Sequence, residues 1–146
     1  MRLWLLVIAQ VLLSAALVLS ANWWPVRWGV LALASPGIAL AVWAWSRIGL
    51  RKIRIHPATT TETQLSTEGP YRIVRHPMYT GLLWLVAVLL VDPLRWWRFV
   101  AWLALLLVLH VKCIFEERSL CSRFADYKAY QCKVGRLLPR LISHRS

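Results

Sequence analysis

The chain has 146 residues, of which 59% are hydrophobic, and it carries a formal net charge of +12. This length allows one domain, and the apolar content exceeds what a soluble core of this size requires, so we expect contact with lipid. A soluble chain of this charge would suggest nucleic acid, but the basic residues lie between and after long apolar runs. We therefore expect membrane lipids, and no nucleic acid, as partners of the basic residues.

Four apolar stretches follow one another along the chain, and each is a candidate membrane span. The third covers only about 21 Å of a hydrocarbon core about 30 Å thick, so either it is tilted or the polar segment before it dips into the membrane surface. Ser35-Pro36-Gly37 in the second stretch predicts a kink or a close helix contact. The sequence predicts one all-α domain over residues 1–146, an integral membrane bundle of about four transmembrane helices. The predicted spans are residues 3–19, 26–45, 78–91 and 99–115.

The positions of lysine and arginine predict how this bundle is oriented. Fifteen of the 18 basic residues fall on the side that holds both termini, and only Arg27, Arg95 and Arg98 fall on the other. Cytoplasmic segments of membrane proteins carry the excess of positive charge. We therefore expect a multi-pass protein with both termini in the cytoplasm, as in a bacterial inner membrane.

The C-terminal segment, residues 116–146, carries apolar and aromatic residues at steps of three and four. Such spacing places them on one face of a helix, which predicts a cytoplasmic amphipathic helix lying against the membrane or over the bundle. Pro139 is expected to end this helix. The residues that form the pattern are Leu120, Phe124, Tyr127, Tyr130 and Val134.

A first polar cluster lies at the entrance to the third span. His76 flanks the predicted helix and Pro77 takes its first position, which leaves free backbone N–H groups and a positive dipole end suited to a carboxylate. A basic patch on anionic lipid, with tyrosines in the membrane interface, would have the same composition, so both interpretations stay open. The charged and aromatic side chains around the helix start are Arg72, Arg75, Tyr71 and Tyr79.

A second polar cluster lies where the fourth span leaves the membrane. Lys112 and Glu116 are four residues apart and share a helix face, and Glu117 follows directly. Two adjacent carboxylates at a lipid boundary are costly unless they are solvated or paired, which makes all three candidate catalytic groups. The alternative is a lysine that reaches the interface, followed by a solvated acidic helix segment.

The sequence predicts no metal site and no familiar nucleotide-binding motif. His110 and Cys113 are three residues apart, but no second ligand pair with metal spacing follows, so we expect an ordinary intramembrane histidine. Glycine-rich dinucleotide-binding and phosphate-binding loops are missing, as are serine or cysteine nucleophile motifs. An enzyme with this sequence would therefore hold its cofactor in an unusual way.

Two ordered motifs lie within residues 63–139. The first is Gly69-Pro70-Tyr71-Arg72-x-x-Arg75-His76-Pro77-x-Tyr79-x-Gly81. The second follows after one helical hairpin and reads Glu116-Glu117-x-x-Leu120-x-x-x-Phe124-x-x-Tyr127-x-x-Tyr130-x-x-x-Val134-x-Arg136-Leu137-Leu138-Pro139. In this order and separation, they resemble the isoprenylcysteine carboxyl methyltransferase family and its phospholipid methyltransferase relatives.

The resemblance implies an integral membrane methyltransferase that binds S-adenosyl-L-methionine within residues 63–139, while a lipidic or membrane-permeable acceptor arrives from the bilayer. The family places an arginine that binds the substrate carboxylate four residues before its glutamate, and here that position is Lys112. The physical interpretation agrees, because a helix N-terminus suits the methionine carboxylate and Glu116 can accept hydrogen bonds. The implied cofactor contacts are Thr63, Gln64, Leu65, Ser66, Tyr71, Arg75, His76, Pro77, Met78, Tyr79 and Glu116.

Several hypotheses stay open for the methyl acceptor and for the activity itself. An isoprenylcysteine-like carboxylate or a thiol is the preferred acceptor, followed by the amine of a phospholipid. Membrane sterol reductases resemble the same C-terminal region but use NADPH, so a reductase is a second possible class of enzyme. A third hypothesis is a non-catalytic membrane protein that keeps the fold as a partner or lipid-binding subunit.

Overall fold

A computed structural model describes residues 2–23, 28–48 and 67–140, and this part of the chain is helical without a named strand. The all-α expectation is therefore confirmed. A short 3₁₀ helix, Gly69–Arg72, precedes the third α-helix. The α-helices are α1 (Arg2–Leu19), α2 (Trp28–Ile48), α3 (Pro77–Leu89), α4 (Trp96–Arg123) and α5 (Tyr127–Lys133).

Two of these helices are long and apolar enough to cross a membrane, namely α2 over Trp28–Arg47 and α4 over Trp96–Arg123. The apolar parts of α1 and α3 are shorter. α4 has 28 residues, which corresponds to about 42 Å, and it begins before and ends well after the predicted span 99–115. Lys112, Glu116 and Glu117 are therefore carried by one continuous helix.

A close contact joins α2 to α3 through two glycines, Gly37 and Gly81. A Cβ atom added to Gly81 would lie 2.6 Å from the carbonyl oxygen of Gly37, and one added to Gly37 would lie 2.8 Å from Trp84 Cδ1. The missing side chains allow the two backbones to approach, as small residues do in membrane helix pairs. The close contact expected at Ser35-Pro36-Gly37 is confirmed.

α1 packs against α4, and the core lies between these helices and α3. The buried side chains Leu17, Leu83, Val86, Leu105 and Leu109 form this core. At one end, the fully buried Arg98 donates a hydrogen bond from Nη2 to the carbonyl of Leu17, at 3.0 Å, and another from Nη1 to that of Pro93, at 2.9 Å. Arg98 thereby satisfies carbonyls at the end of α1 and in the turn before α4.

The prediction of one amphipathic C-terminal helix is wrong. α4 continues to Arg123, Phe124 takes an extended conformation, and the short α5 ends at Lys133 rather than at Pro139. The chain turns here because Tyr127 is buried with 2% exposure and Val74 pairs with Gly135 in an isolated parallel bridge. These contacts pull the segment back onto the entrance of α3, which a straight helix could not reach.

Candidate functional site

The N-terminus of α3 has a defined backbone arrangement. His76 precedes the helix and Pro77 is its first residue, while the N–H groups of Tyr79 and Thr80 donate to the carbonyl of His76 at 3.1 and 3.0 Å. Pro77 has no N–H, so Met78 carries the remaining donor of the first turn without an intrahelical acceptor. The expected helix start, with His76 flanking and Pro77 first, is confirmed.

The imidazole of His76 lies between the two neighbouring carboxylates of α4. Its Nε2 is 3.2 Å from Glu117 Oε1, and its Nδ1 is 3.6 Å from Glu116 Oε2. The ring stacks on Tyr79, with centroids 5.5 Å apart and planes 5° from parallel. The entrance of α3 and the end of the apolar part of α4 therefore meet at this histidine.

Glu116 is the more accessible of the two carboxylates. Its Oε1 accepts a hydrogen bond of 2.7 Å from the hydroxyl of Tyr79, and 36% of its side chain is exposed. A carboxylate oxygen can accept more than one hydrogen bond, so this group retains acceptor capacity. Glu116, Tyr79 and His76 thus present acceptor atoms and aromatic surface side by side.

Glu117, in contrast, is buried at the centre of a set of basic and amide side chains, which we call the Glu117 cluster. Only 4% of its side chain is exposed, and Arg136 donates to it from Nη2 at 2.8 Å and from Nε at 3.1 Å. Arg75 Nε lies 3.1 Å from Oε1, and Gln131 Nε2 donates to Oε2 at 3.2 Å. A buried carboxylate loses its hydration, and these partners compensate for that loss. The hydrogen bond from Arg136 to Glu117 also raises the pKa of the guanidinium.

Residues 134–138, which we call the strap, fasten the C-terminal segment to the entrance of α3. The N–H of Arg75 donates to Gly135 O at 2.8 Å, and Thr80 Oγ1 donates to Leu137 O at 2.8 Å. A Cβ atom at Gly135 would lie 1.9 Å from Leu138 O, so only glycine fits this turn.

Tyr130 adds a further attachment between α5 and the 3₁₀ helix. Its hydroxyl donates to the carbonyl of Tyr71 at 2.5 Å. Burial raises the pKa of Tyr130 to about 12, because the charged phenolate would lose its hydration. The tyrosine is therefore a neutral hydrogen-bond donor at physiological pH.

Lys112 lies beside Tyr79 and contacts α1. Its Nζ is 4.9 Å from the centroid of the Tyr79 ring and donates to Gln10 Oε1 at 3.0 Å. Among the described residues, the lysine forms no ion pair, although Glu116 is one turn away on the same helix. The amide of Gln10 and the aromatic face of Tyr79 therefore hold the ammonium group of Lys112 in place.

The structure brings together five of the side chains singled out in the sequence: Lys112, Glu116, Glu117, His76 and Tyr79. Of the other expected cofactor contacts, Tyr71 and Arg75 attach α5 and the strap, Pro77 is buried, and Met78 is 38% exposed. The expected contacts Thr63, Gln64, Leu65 and Ser66 lie outside the described residues. Within the described part of the chain, no group of three metal-binding side chains occurs.

Three residues of the candidate site were not predicted from the sequence, namely Gln10, Gln131 and Arg136. Arg136 lies within the second motif, but nothing local shows that it reaches a carboxylate 19 residues earlier. Gln10 could have been noticed as an amide within an apolar stretch, since such a group needs a partner.

These features define a helical protein in which apolar helices bring the two polar motifs together. A model of the phospholipid methyltransferase family matches residues 26–126, which is more than half of the chain. The chain therefore belongs to the phospholipid methyltransferase family of membrane methyltransferases, and the resemblance seen in its motifs is confirmed.

One curated relative and the solved structures complete the comparison. An uncharacterized protein of Schizosaccharomyces pombe is 34% identical over 79 residues, which is 50% of this chain and 23% of that protein. The chain thus matches less than a quarter of that relative's length. No solved structure matches the chain.

Proposed function

We propose that the chain is an S-adenosyl-L-methionine-dependent methyltransferase with four membrane spans and both termini in the cytoplasm, acting on a lipophilic or membrane-accessible acceptor. Membership in a family of membrane methyltransferases supports the reaction class. The excess of lysine and arginine on the side that holds the termini supports the orientation. The helices α1 and α3 are shorter than α2 and α4. They would cross the membrane if the bilayer becomes thinner around them or if the protein oligomerises.

The observation that carries the proposal is the grouping of His76, Tyr79 and Glu116. The partly exposed carboxylate of Glu116 suits the amino or hydroxyl groups of the cofactor, and the N-terminus of α3 with the N–H of Met78 suits its carboxylate. The aromatic faces suit adenine. The residues that would hold the cofactor are His76, Pro77, Met78, Tyr79, Glu116 and Tyr71, with Thr63, Gln64, Leu65 and Ser66 from the linker.

When bound, the cofactor would supply an electrophilic methyl group for transfer to the acceptor's nucleophile. The protein's own contribution is alignment and exclusion of water. An amine or thiol acceptor must also lose a proton, and Glu116 or His76 would accept it. Glu117, held by Arg75 and Arg136, would keep His76 in position.

The proposal also includes the chemical class of the methyl acceptor. An isoprenylcysteine-like carboxylate needs little beyond alignment because it is already ionised at neutral pH, whereas a thiol becomes nucleophilic only once it has lost its proton. The amine of a phospholipid is the second candidate, and the name of the matching family favours it. All these acceptors would reach the site from the bilayer.

Labelled membranes test this proposal directly. Membranes containing the chain are incubated with methyl-deuterated S-adenosyl-L-methionine, and extracted lipids and volatile thiols are analysed by mass spectrometry. We expect deuterated methyl groups in one product, and their loss in Glu116→Gln, while Gly29→Ala, which has open space around its new methyl group, serves as the control. Product formation equal to that in membranes lacking the chain would contradict the proposal.

A further inference from the structure

The two oxygen atoms of the Glu117 carboxylate have different partners. Oε2 accepts hydrogen bonds from Nη2 and Nε of Arg136, at 2.8 and 3.1 Å, and from Nε2 of Gln131, at 3.2 Å. Oε1 accepts from Nε of Arg136 at 3.1 Å and lies 3.1 Å from Nε of Arg75. The remaining neighbour of Oε1 is Nε2 of His76, at 3.2 Å. The ring of His76 therefore meets Glu117 at the oxygen that receives fewer hydrogen bonds from other residues.

The C-terminal segment holds this carboxylate in one orientation. Arg136 belongs to the strap and Gln131 to α5, so these two elements supply the hydrogen bonds to Oε2. The thiol of Cys121 donates to Oε1 of Gln131 at 3.6 Å, which leaves the amide nitrogen of Gln131 to face Glu117. The strap and α5 thereby determine which oxygen atom of Glu117 faces the imidazole ring.

The contact with Glu117 determines which nitrogen of His76 carries a proton. An ionised carboxylate only accepts hydrogen bonds, so Nε2 must donate. The other nitrogen, Nδ1, lies 3.6 Å from Oε2 of Glu116, which is longer than a hydrogen bond. Arg75 and Arg136 already bring two positive charges to Glu117, so this carboxylate does not require a charged ring. A neutral ring with its proton on Nε2 therefore satisfies the contacts of His76.

We propose that Glu117 is a positioning residue that holds His76 with its proton on Nε2 and leaves Nδ1 free as an acceptor beside Glu116. This inference rests on the proposed methyltransferase function, and it gives α5 and the strap a part in the chemistry of the site. For a methyl acceptor that carries an N–H or S–H group, Nδ1 takes this proton while the bonding electron pair stays on the acceptor's nitrogen or sulfur. The proton then passes to Glu116, whose side chain is 36% exposed, and from there to water.

Two neighbouring glutamate-to-glutamine variants separate this role from a purely structural one. In Glu117→Gln, the amide oxygen is expected on the side of Oε2, where Arg136 and Gln131 donate, so the NH₂ group faces Nε2 of the ring. An NH₂ group only donates, so Nε2 must accept, and the proton moves to Nδ1, where it faces Glu116. Glu116→Gln is the matched control, because either orientation of its amide leaves the contact between Glu117 and Nε2 unchanged.

Nitrogen NMR of the full chain, with ¹⁵N-labelled histidine in detergent micelles at neutral pH, reports the protonation of each ring nitrogen. The signals of His76 are those that disappear in His76→Asn. We expect the proton on Nε2 in wild type and in Glu116→Gln, and on Nδ1 in Glu117→Gln. A second measurement needs wild type alone, because the Nε2 proton of His76 and the Nε proton of Arg136 both point at Oε1 of Glu117. We expect a nuclear Overhauser contact between these two protons.

Four results would overturn the inference. They are a wild-type ring with its proton on Nδ1, a wild-type ring protonated on both nitrogens, a missing Overhauser contact with Arg136, and a folded Glu117→Gln that keeps the wild-type tautomer. Calorimetry with S-adenosylhomocysteine separates these outcomes from failure of the proposed function, because the tautomer is measured on the free protein. Wild type that does not bind S-adenosylhomocysteine contradicts the methyltransferase function, whereas a proton on Nδ1 contradicts only the role of Glu117.

Discussion

Arg136 donates hydrogen bonds from two nitrogen atoms to the buried carboxylate of Glu117 and thereby attaches the strap to α4. Glu116, the preceding residue, instead accepts from Tyr79 and stays partly exposed. Two adjacent glutamates therefore have different surroundings, one among basic side chains in the interior and the other at an accessible surface.

Glu117→Gln should destabilise the protein much more than Glu116→Gln. The amide removes the negative charge that Arg75 and Arg136 share, and breaking a buried ion pair of this kind costs about 3 kcal/mol. Thermal unfolding in detergent should show a Tm lower by several degrees for Glu117→Gln and little change for Glu116→Gln. Equal Tm values for the two variants would show that the Glu117 cluster does not stabilise the fold.

Gly81→Ala should loosen the packing of α2 on α3. The new methyl group would lie 2.6 Å from Gly37 O and 3.0 Å from the Cβ of Ala41, so the helices must separate, at a cost of about 1 to 3 kcal/mol. Gly29→Ala is the matched control, because no atom lies within 4 Å of its new methyl group. We expect a lower Tm for Gly81→Ala alone, and an unchanged Tm would argue against the close contact.

The hydrogen bond from Tyr130 to Tyr71 should respond to alkaline pH. Burial raises the pKa of Tyr130 from 10.0 to about 12, so its contribution to stability is complete below pH 10 and is lost as the pH rises through about 12. Tyrosinate absorbance, compared between wild type and Tyr130→Phe, should assign to Tyr130 a component that titrates near pH 12. If the absorbance component lost in Tyr130→Phe instead titrates near pH 10 in wild type, the hydroxyl of Tyr130 is solvated, which would contradict this prediction.

Hydropathy and helix-start chemistry predict most of the helical framework. Pro77 begins α3 as expected, since its ring fits the first helical position and its missing N–H is harmless there. The pattern that includes Phe124 and Tyr127 does not reveal the break after α4, because Phe124 is partly buried and Tyr127 is buried, so the apolar spacing continues across the turn. The chain turns because Tyr127 is buried and because α5 and the strap contact the 3₁₀ helix and the entrance of α3.

The motifs in the sequence predict where the site lies, but they do not show which role each of its residues has. The sequence presents Glu116 and Glu117 as equivalent neighbours, and which one is buried depends on Arg136, a partner distant in the chain. The contact between Gln10 and Lys112 joins residues 102 positions apart, and a lone amide in an apolar helix does not indicate its partner. Tertiary packing therefore supplies the distinctions that local patterns cannot.

Calorimetry of the detergent-purified protein with S-adenosylhomocysteine and with NADPH tests the proposed methyltransferase site most directly. We predict saturable binding of S-adenosylhomocysteine and none of NADPH. His76→Ala and Glu116→Gln should each weaken S-adenosylhomocysteine binding by about tenfold or more, because a hydrogen bond to a charged group is lost. Saturable binding of NADPH without binding of S-adenosylhomocysteine would contradict the proposal.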